Sequence, residues 1–164
     1  MISLKNMTRE AHINIGSNIG DRHALIERAV ASVLALSVGP GRVSAPVESE
    51  PWGFSSPHPF LNVGVSIMTD LQPEALLRAL LDIQADISDA PHRAPDGSYI
   101  DRPLDIDLIC MEDTVLDIPG LILPHPRMHL RPFVLLPLAE LSPSWLHPLL
   151  HLTPSRLLSL LTSR

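Results

Sequence analysis

Two aspartates, Asp105 and Asp107, lie two positions apart in an otherwise apolar stretch of the chain. If this stretch is a β-strand, both carboxylates project from one face. The other face then carries Leu104, Ile106, Leu108 and Cys110. Residues two apart on a strand stand roughly 6 to 7 Å apart at their backbones, a span across which carboxylates can hold hard cations such as Mg²⁺. Acidic residues alternating with apolar ones are equally typical of a strand with one face in solvent, so this segment alone leaves both interpretations open.

Cationic and aromatic residues accompany the two aspartates. Arg102 lies just upstream, and the segment 123–133 contains His125, Arg131 and Phe133. Guanidinium and imidazole groups are common partners of phosphate oxygens. Their presence favours phosphate chemistry over a strand that is merely half-solvated.

The composition indicates which classes of protein the chain can and cannot belong to. With 164 residues, 45% of them hydrophobic and 18% charged, the chain is long and apolar enough for one globular domain. We expect this domain to span 11–164 after a short disordered or extended leader, 1–10. The net charge of −6 argues against a nucleic-acid partner. The sequence shows no apolar run suited to a signal peptide or a membrane span, and its one cysteine fits a reducing, cytoplasmic setting.

The elements that must position these residues follow from the hydrophobic pattern. The predicted strands are 11–15, 42–50, 60–68, 101–110 and 115–118. The predicted helices run from a cap at Asp21 to about 37, from Asp70 and Pro73 to about 88, over 133–141, and onward from a cap at Thr153. The order β-α-β-β-α-β predicts an α+β fold of the split β-α-β kind, with a mainly antiparallel sheet covered by helices, which we expect on one face.

The third predicted strand also separates into two faces. Its core face carries Leu61, Val63, Val65 and Ile67. Phe60 and Asn62 share the opposite face, where a ring that stacks and an amide that donates and accepts suit a flat heterocycle. The same two residues are also compatible with a partly exposed strand start. The preceding loop, 51–59, is rich in rings and prolines and is a candidate wall or lid.

Taken together and in this order, these segments resemble the 6-hydroxymethyl-7,8-dihydropterin pyrophosphokinase family, whose enzymes precede dihydropteroate synthase in folate biosynthesis. The resemblance covers nearly all of residues 11–145. It rests on the motifs Gly16-Ser17-Asn18, Phe60-Leu61-Asn62, Arg102-Pro103-Leu104-Asp105-Ile106-Asp107, and Pro124-His125 followed by Arg131-Pro132-Phe133. It implies a ferredoxin-like fold and transfer of diphosphate from ATP to the hydroxymethyl group of the pterin, with release of AMP. The product would pass to dihydropteroate synthase, and the protein would be a monomer or a dimer.

The resemblance also implies roles for individual residues. Arg102, Asp105 and Asp107 would be catalytic, and the two aspartates would hold two Mg²⁺ ions with ATP. The implied ATP contacts are Gln84, His92, Arg93, Arg102, His125 and Arg131. The implied pterin contacts are Trp52, Gly53, Phe60, Asn62 and Phe133. The sequence shows no obvious separate general base, so we expect a Mg²⁺ ion to lower the pKa of the attacking hydroxyl while Asp105 or Asp107 orients it.

The sequence departs from the family pattern before the aspartate strand. Gln84 stands where the family usually has a glutamate, Asp89 and Ala90 stand at a Gly-Arg pair, and Tyr99 is the closest aromatic to a missing tryptophan. The loop that follows Gln84 thus has fewer basic residues than the family pattern, which predicts weaker nucleotide affinity or slower turnover. The alternative is a degenerate pterin- or nucleotide-binding module of the same fold with little turnover. We also expect the loop 89–99 to close over ATP.

Overall fold

A computed structural model of the chain describes residues 7–88, 90–91 and 93–163. The strands are β1 (Arg9–Ser17), β2 (Arg42–Val43), β3 (Val47–Ser49), β4 (Phe60–Thr69), β5 (Asp105–Met111), β6 (Leu116–Ile118) and β7 (Leu121–Leu123). The helices are α1 (Arg22–Leu34), α2 (Pro73–Ile87), α3 (Pro132–Leu141) and α4 (Pro154–Thr162), with a short 3₁₀ turn at Met128–Leu130. The first six residues of the predicted leader, together with Asp89 and His92, lie outside the described residues.

The main sheet has the strand order β2-β4-β1-β5, with β3 also pairing with β4. Every pairing is antiparallel. In the middle of the sheet, Gly16 of β1 lies opposite Asn62 of β4 and opposite Asp105 of β5. This order is the split β-α-β arrangement, so the predicted α+β, ferredoxin-like fold class is confirmed.

Helices α1 and α2 cover one face of this sheet. Their buried residues Val33, Leu76 and Leu80 pack with Ile13 and Val65 of the two central strands. Helix α1 begins where the sequence predicts, because the carboxylate of Asp21 accepts a hydrogen bond from Ala24 N at 3.1 Å. Removal of these apolar side chains from water is the main source of stability on this face.

Helices α3 and α4 pack on the opposite face, so the expectation of helices on one face was wrong. A second buried cluster joins Val134, Leu135 and Leu138 of α3 to Leu157 of α4 and to Cys110 of β5. This second layer covers only part of the sheet. The uncovered part of the same face carries the two aspartates.

Cys110 lies on a different face from the one predicted. In the pairing of β1 with β5, Ile13 is opposite Leu108 and His12 is opposite Cys110, so Ile109 is an extra, bulged residue. One inserted residue reverses the alternation beyond it. Leu104, Ile106 and Leu108 therefore belong to the α1–α2 core, whereas Cys110 belongs to the α3–α4 cluster. Its burial as a small core residue is as predicted.

Several element boundaries also differ from the prediction. Strand β1 begins at Arg9, inside the predicted leader. The predicted strand 42–50 is divided into β2 and β3, since Pro46 between them has no N–H for the ladder. Gln72, and not Asp70, is the residue that precedes α2. Strand β6 pairs with β7, which was not predicted, in a separate hairpin. No helix among the described residues is long and apolar enough to cross a membrane.

Candidate active site

Most of the predicted site residues line one cavity of about 280 Å³ on the uncovered part of the sheet. These residues are Trp52, Phe60, Asn62, Arg93, Arg102, Asp105, Asp107, His125, Arg131 and Phe133. They come from two strands, three connecting segments and the start of α3, and so lie far apart in sequence. The fold therefore brings the predicted metal, phosphate and ring contacts into one space.

The floor of this cavity is flat because Gly16 has no side chain. A Cβ atom at this position would lie 3.1 Å from Asn62 Oδ1 and 3.4 Å from Phe60 Cδ1. The amide of Asn62 is fixed from behind, since its Nδ2 donates to Val47 O at 3.1 Å and to Ser49 Oγ at 2.8 Å. A planar ligand can thus lie over Gly16 with one edge against a preoriented amide.

The two aspartates stand together at the other side of this floor. Arg102 Nη1 donates to Asp105 Oδ2 at 3.2 Å. Burial and the negative charge of Asp105 raise the pKa of Asp107 to about 8, although the charges of Arg131 and Arg102 act in the opposite direction. Two carboxylates this close in a partly buried site cannot both ionise easily without a cation between them.

Arg102 is held by Asn18, the residue that follows β1 and ends the Gly-Ser-Asn motif. Asn18 Oδ1 accepts from Arg102 N at 2.7 Å, and Asn18 N donates to Arg102 O at 3.2 Å. The amide nitrogen of the same side chain donates to Asp101 Oδ1 at 2.6 Å and to His58 O at 3.1 Å. Asn18 therefore joins the loop 51–59 to the segment that carries the arginine and fixes both at the cavity rim.

His125 and Arg131 supply the cationic and polar wall. Burial, followed by the charge of Arg131, lowers the pKa of His125 to about 4, so the imidazole is neutral at pH 7. Its Nδ1 accepts from Arg127 N at 3.2 Å, which leaves the proton on Nε2 as a hydrogen-bond donor. The Arg131 guanidinium lies 4.4 Å from the centre of the Trp52 ring and 5.8 Å from that of Phe133.

A groove of about 490 Å³ runs along the outer edge of β5. Asp105, Asp107 and His125 line both this groove and the cavity, so the carboxylate pair stands between the two spaces. Gln84 lines the groove and not the cavity, and its Oε1 accepts from Ile106 N at 2.8 Å. Beside it, His125 N donates to Ile109 O at 2.8 Å.

Of the other predicted site residues, Gln84 lines the groove, and His92 lies outside the described residues. Gly53 does not line the cavity but adopts a positive φ of 84°, and an added Cβ would lie 3.3 Å from the ring of Tyr99. This close approach identifies Gly53 as a contact between the two loops over the cavity.

Sequence reasoning missed several residues that line the cavity, namely Asn14, Ser49, Phe54 and Tyr99. Tyr99 links its own loop to the segment that carries His125: the Arg93 guanidinium lies 4.0 Å from its ring centre, and Arg127 Nη1 donates to its hydroxyl at 3.1 Å. Phe54 lies beside it, with ring centres 6.5 Å apart. A signal for Tyr99 was available, since it is the aromatic closest to the family's tryptophan. The signal for Asn14 was its position on the same face of β1 as Gly16.

The chain is similar to one protein family and to several curated proteins. The family model described as 7,8-dihydro-6-hydroxymethylpterin-pyrophosphokinase matches residues 12–143. A protein of Porphyromonas gingivalis named 2-amino-4-hydroxy-6-hydroxymethyldihydropteridine pyrophosphokinase is 40% identical over 139 residues, which cover 82% of this chain and 91% of that protein. Proteins of the same name from Methylorubrum extorquens and Bacillus subtilis are 39% and 36% identical and are covered to 84% and 79%.

Solved structures share the fold. The wild-type HPPK-DHPS protein of Plasmodium falciparum superimposes with a TM-score of 0.74 at 15% identity over 99% of this chain. A crystal structure of HPPK-DHPS in complex with substrates gives a TM-score of 0.73 at 13% identity over 95% of this chain. The present chain spans about half the length of those solved chains, 46% and 44% respectively.

Proposed function

This chain belongs to the 7,8-dihydro-6-hydroxymethylpterin-pyrophosphokinase family, and from that premise we propose how its cavity and groove carry out the reaction. It is a diphosphotransferase of folate biosynthesis that transfers diphosphate from ATP to 6-hydroxymethyl-7,8-dihydropterin. The products are AMP and the pterin diphosphate. The hydroxymethyl oxygen forms a bond to the β-phosphorus of ATP while the bond from that phosphorus to the oxygen bridging to the α-phosphorus breaks, and the hydroxyl proton is released to solvent.

One observation carries the assignment of the two substrates to the two spaces. Asp105, Asp107 and His125 line both the cavity and the edge groove. A pterin in the cavity and a nucleotide in the groove would meet at these carboxylates. The pterin would lie over Gly16, between the rings of Phe60 and Phe133 and with its edge at Asn62. Trp52 closes this space from the loop above it.

Mg²⁺ fits the donor set at the meeting point. Among the described residues no group of three or more His, Cys, Asp or Glu side chains is placed to hold a metal. Two carboxylates are nevertheless the usual protein contribution to a Mg²⁺ site that is completed by phosphate oxygens and water. When bound with ATP, two Mg²⁺ ions held by Asp105 and Asp107 would neutralise the phosphate charge and polarise the reacting oxygens.

The residues around the carboxylates position and stabilise the transferred group. Arg102 is fixed by Asn18 and by its bond to Asp105, which directs its guanidinium toward the meeting point. Arg131 and Arg93 add positive charge, and neutral His125 donates a hydrogen bond from Nε2 to a phosphate oxygen. In the groove, Gln84 lies on the side where the nucleotide would extend. Diphosphoryl transfer needs mainly positioning and charge stabilisation, which these groups supply.

The alternative, a binding module without turnover, gains no support from the site. A module that only bound a pterin would not need a half-buried carboxylate pair between two spaces. The proposal also places the reaction in the cytoplasm, where ATP is abundant, with the product used by dihydropteroate synthase.

Incubation of the purified protein with ATP, Mg²⁺ and 6-hydroxymethyl-7,8-dihydropterin tests the proposal. We expect AMP and pterin diphosphate in equal amounts, and loss of both in the double variant Asp105→Ala, Asp107→Ala. Asp117→Ala, which removes an exposed carboxylate in β6, is the matched control and should retain activity. Formation of ADP, or activity that survives EDTA, would contradict the proposed chemistry.

A further inference from the structure

Asn14 occupies the floor of the cavity but has no role in the mechanism described so far. It lies in the middle of β1, opposite Gly64 of β4 and opposite Asp107 of β5. Its side chain lines the cavity, and the residue is only 4% exposed. Side chains of directly opposed residues on neighbouring strands start about 4.5 to 5.5 Å apart, so the amide of Asn14 stands beside the carboxylate of Asp107.

The oxygen of this amide lacks a partner. Within the part of the chain that the structure describes, Asn14 Oδ1 is buried and accepts no hydrogen bond. The other buried asparagines, Asn18 and Asn62, hold loop or strand groups through the bonds given above. A buried acceptor without a donor is costly, and in native proteins such atoms commonly await a ligand or an ordered water.

The place of Asn14 decides which group of the substrate can reach it. Asn62 lies on one side of Gly16, and Asp105 and Asp107 lie on the other. In the proposed function, the ring of the pterin lies over Gly16 and its hydroxymethyl arm must point toward the carboxylates. Asn14 is the neighbour of Asp107 on the cavity side, so the arm, and not the far edge of the ring, passes over its amide.

We propose that Asn14 Oδ1 accepts a hydrogen bond from the hydroxymethyl O–H of the pterin and thereby turns a lone pair of that oxygen toward the β-phosphorus. The amide does not take the proton, because it is not a base at neutral pH; it is a positioning residue that touches the substrate. This inference rests on the proposed function.

The test compares two ligands that differ only in the hydroxyl group. Binding of 6-hydroxymethyl-7,8-dihydropterin and of 6-methyl-7,8-dihydropterin is measured by calorimetry, with Mg²⁺ and an ATP analogue that cannot be cleaved between its α- and β-phosphorus atoms. The proteins are the wild type and Asn14→Leu, which keeps the side-chain size but removes the acceptor. Asn14→Ala serves if the leucine variant does not fold. Ser66→Ala is the control, a buried polar substitution on the same sheet face outside the cavity.

We expect Asn14→Leu to weaken binding of the hydroxymethyl ligand by about ten-fold, the effect of one hydrogen bond, and to leave the methyl ligand nearly unchanged. The kcat should fall more than the KM for the pterin rises, because misorientation of the hydroxyl acts at the reacting atoms. Equal weakening of both ligands, or no weakening, would overturn the role of Asn14. A wild-type protein that forms no AMP would instead overturn the proposed function, since the binding comparison does not depend on turnover.

Discussion

The raised pKa of Asp107 predicts that the metal-free protein loses stability as the pH rises. The pKa of this carboxyl group is 3.8 in the unfolded chain and about 8 in the folded protein. Between these values the folded state holds a proton that the unfolded state has released. The free energy of unfolding must therefore fall with rising pH across this window and level off above it.

The substitution Asp107→Asn removes the titrating group and keeps the shape of the side chain. A pKa difference from 3.8 to about 8 corresponds to at most about 6 kcal/mol, at about 1.4 kcal/mol for each pH unit. Solvent reaches the two aspartates, the repulsion is divided between them, and the charges of two arginines reduce it. We therefore expect the ionised Asp107 to lower the free energy of unfolding by only about 2 kcal/mol. The variant should thus be more stable than the wild type by about 2 kcal/mol at pH 8.5 and nearly equal to it at pH 4.5.

Urea unfolding in EDTA at these two pH values measures this difference. The signal is the difference between the two proteins, because His125 is neutral in the fold and lowers the stability of both as the pH falls below 6.5. Added Mg²⁺ should stabilise the wild type at pH 8.5 and have less effect on the variant, which lacks one of the two proposed metal ligands. If the variant is more stable than the wild type by the same amount at both pH values, the shape of the side chain and not its charge causes the difference. If the variant is not more stable at pH 8.5, the electrostatic argument is refuted.

Three further predictions concern single positions. Gly64→Ala should lower the free energy of unfolding by about 2 kcal/mol, because an added Cβ would lie 2.5 Å from Pro137 Cβ and 2.9 Å from His12 Cε1. The control in the same urea titration is Gly39→Ala, where nothing lies within 4 Å of the added Cβ. Equal effects of the two substitutions would refute the packing argument. Burial lowers the pKa of His12 from 6.5 to about 3, so this residue makes the wild type less stable as the pH falls below 6.5. His12→Leu should therefore reduce the loss of stability between pH 7 and pH 5. Urea midpoints that fall equally in both proteins would show that His12 does not cause this loss. Asn62→Ala should raise the KM for the pterin by about ten-fold and leave the KM for ATP nearly unchanged in steady-state assays, and a parallel rise of both would show a general distortion of the cavity.

The sequence was most informative where polar and apolar residues alternate. The core face of β4 is buried as predicted, and Phe60 and Asn62 lie together on the cavity. The alternation also placed Asp105 and Asp107 on one face, because the residues between and beside them are apolar. In these segments a local pattern of period two carries the whole argument.

The hydrophobic pattern gave a wrong prediction where a segment contains no polar residue to show which face it exposes. Ile109 and Cys110 are both apolar, so the one-residue bulge at Ile109 left no trace in the hydrophobicity of β5. The hairpin of β6 and β7 was missed although Gly120, at a φ of 84°, forms its turn. The position of α3 on the cavity face depends on contacts with β4 and could not be read from the helix alone.

The residues of the loops could be predicted only in part. The role of Asn18 as a clamp on Arg102 joins positions 84 residues apart, which no local pattern reveals. The aromatic and arginine contacts around Tyr99 depend likewise on how two loops meet. The resemblance to a family supplied the motifs, and the fold supplied the reason why each lies where it does.

Strand β5 is an edge strand of the main sheet, a position that can promote aggregation at high protein concentration. An edge strand offers unpaired main-chain N–H and C=O groups to any other extended chain. Here the outward N–H of Ile106 is occupied by the Gln84 side chain, and the outward carbonyl of Ile109 by the main chain of His125. Two residues that border the groove beside β5, Gln84 and His125, therefore also cover polar main-chain groups of this edge strand. We therefore expect substitution of Gln84 to lower solubility as well as the proposed nucleotide binding, so solubility has to be measured before a weak variant is judged by its activity.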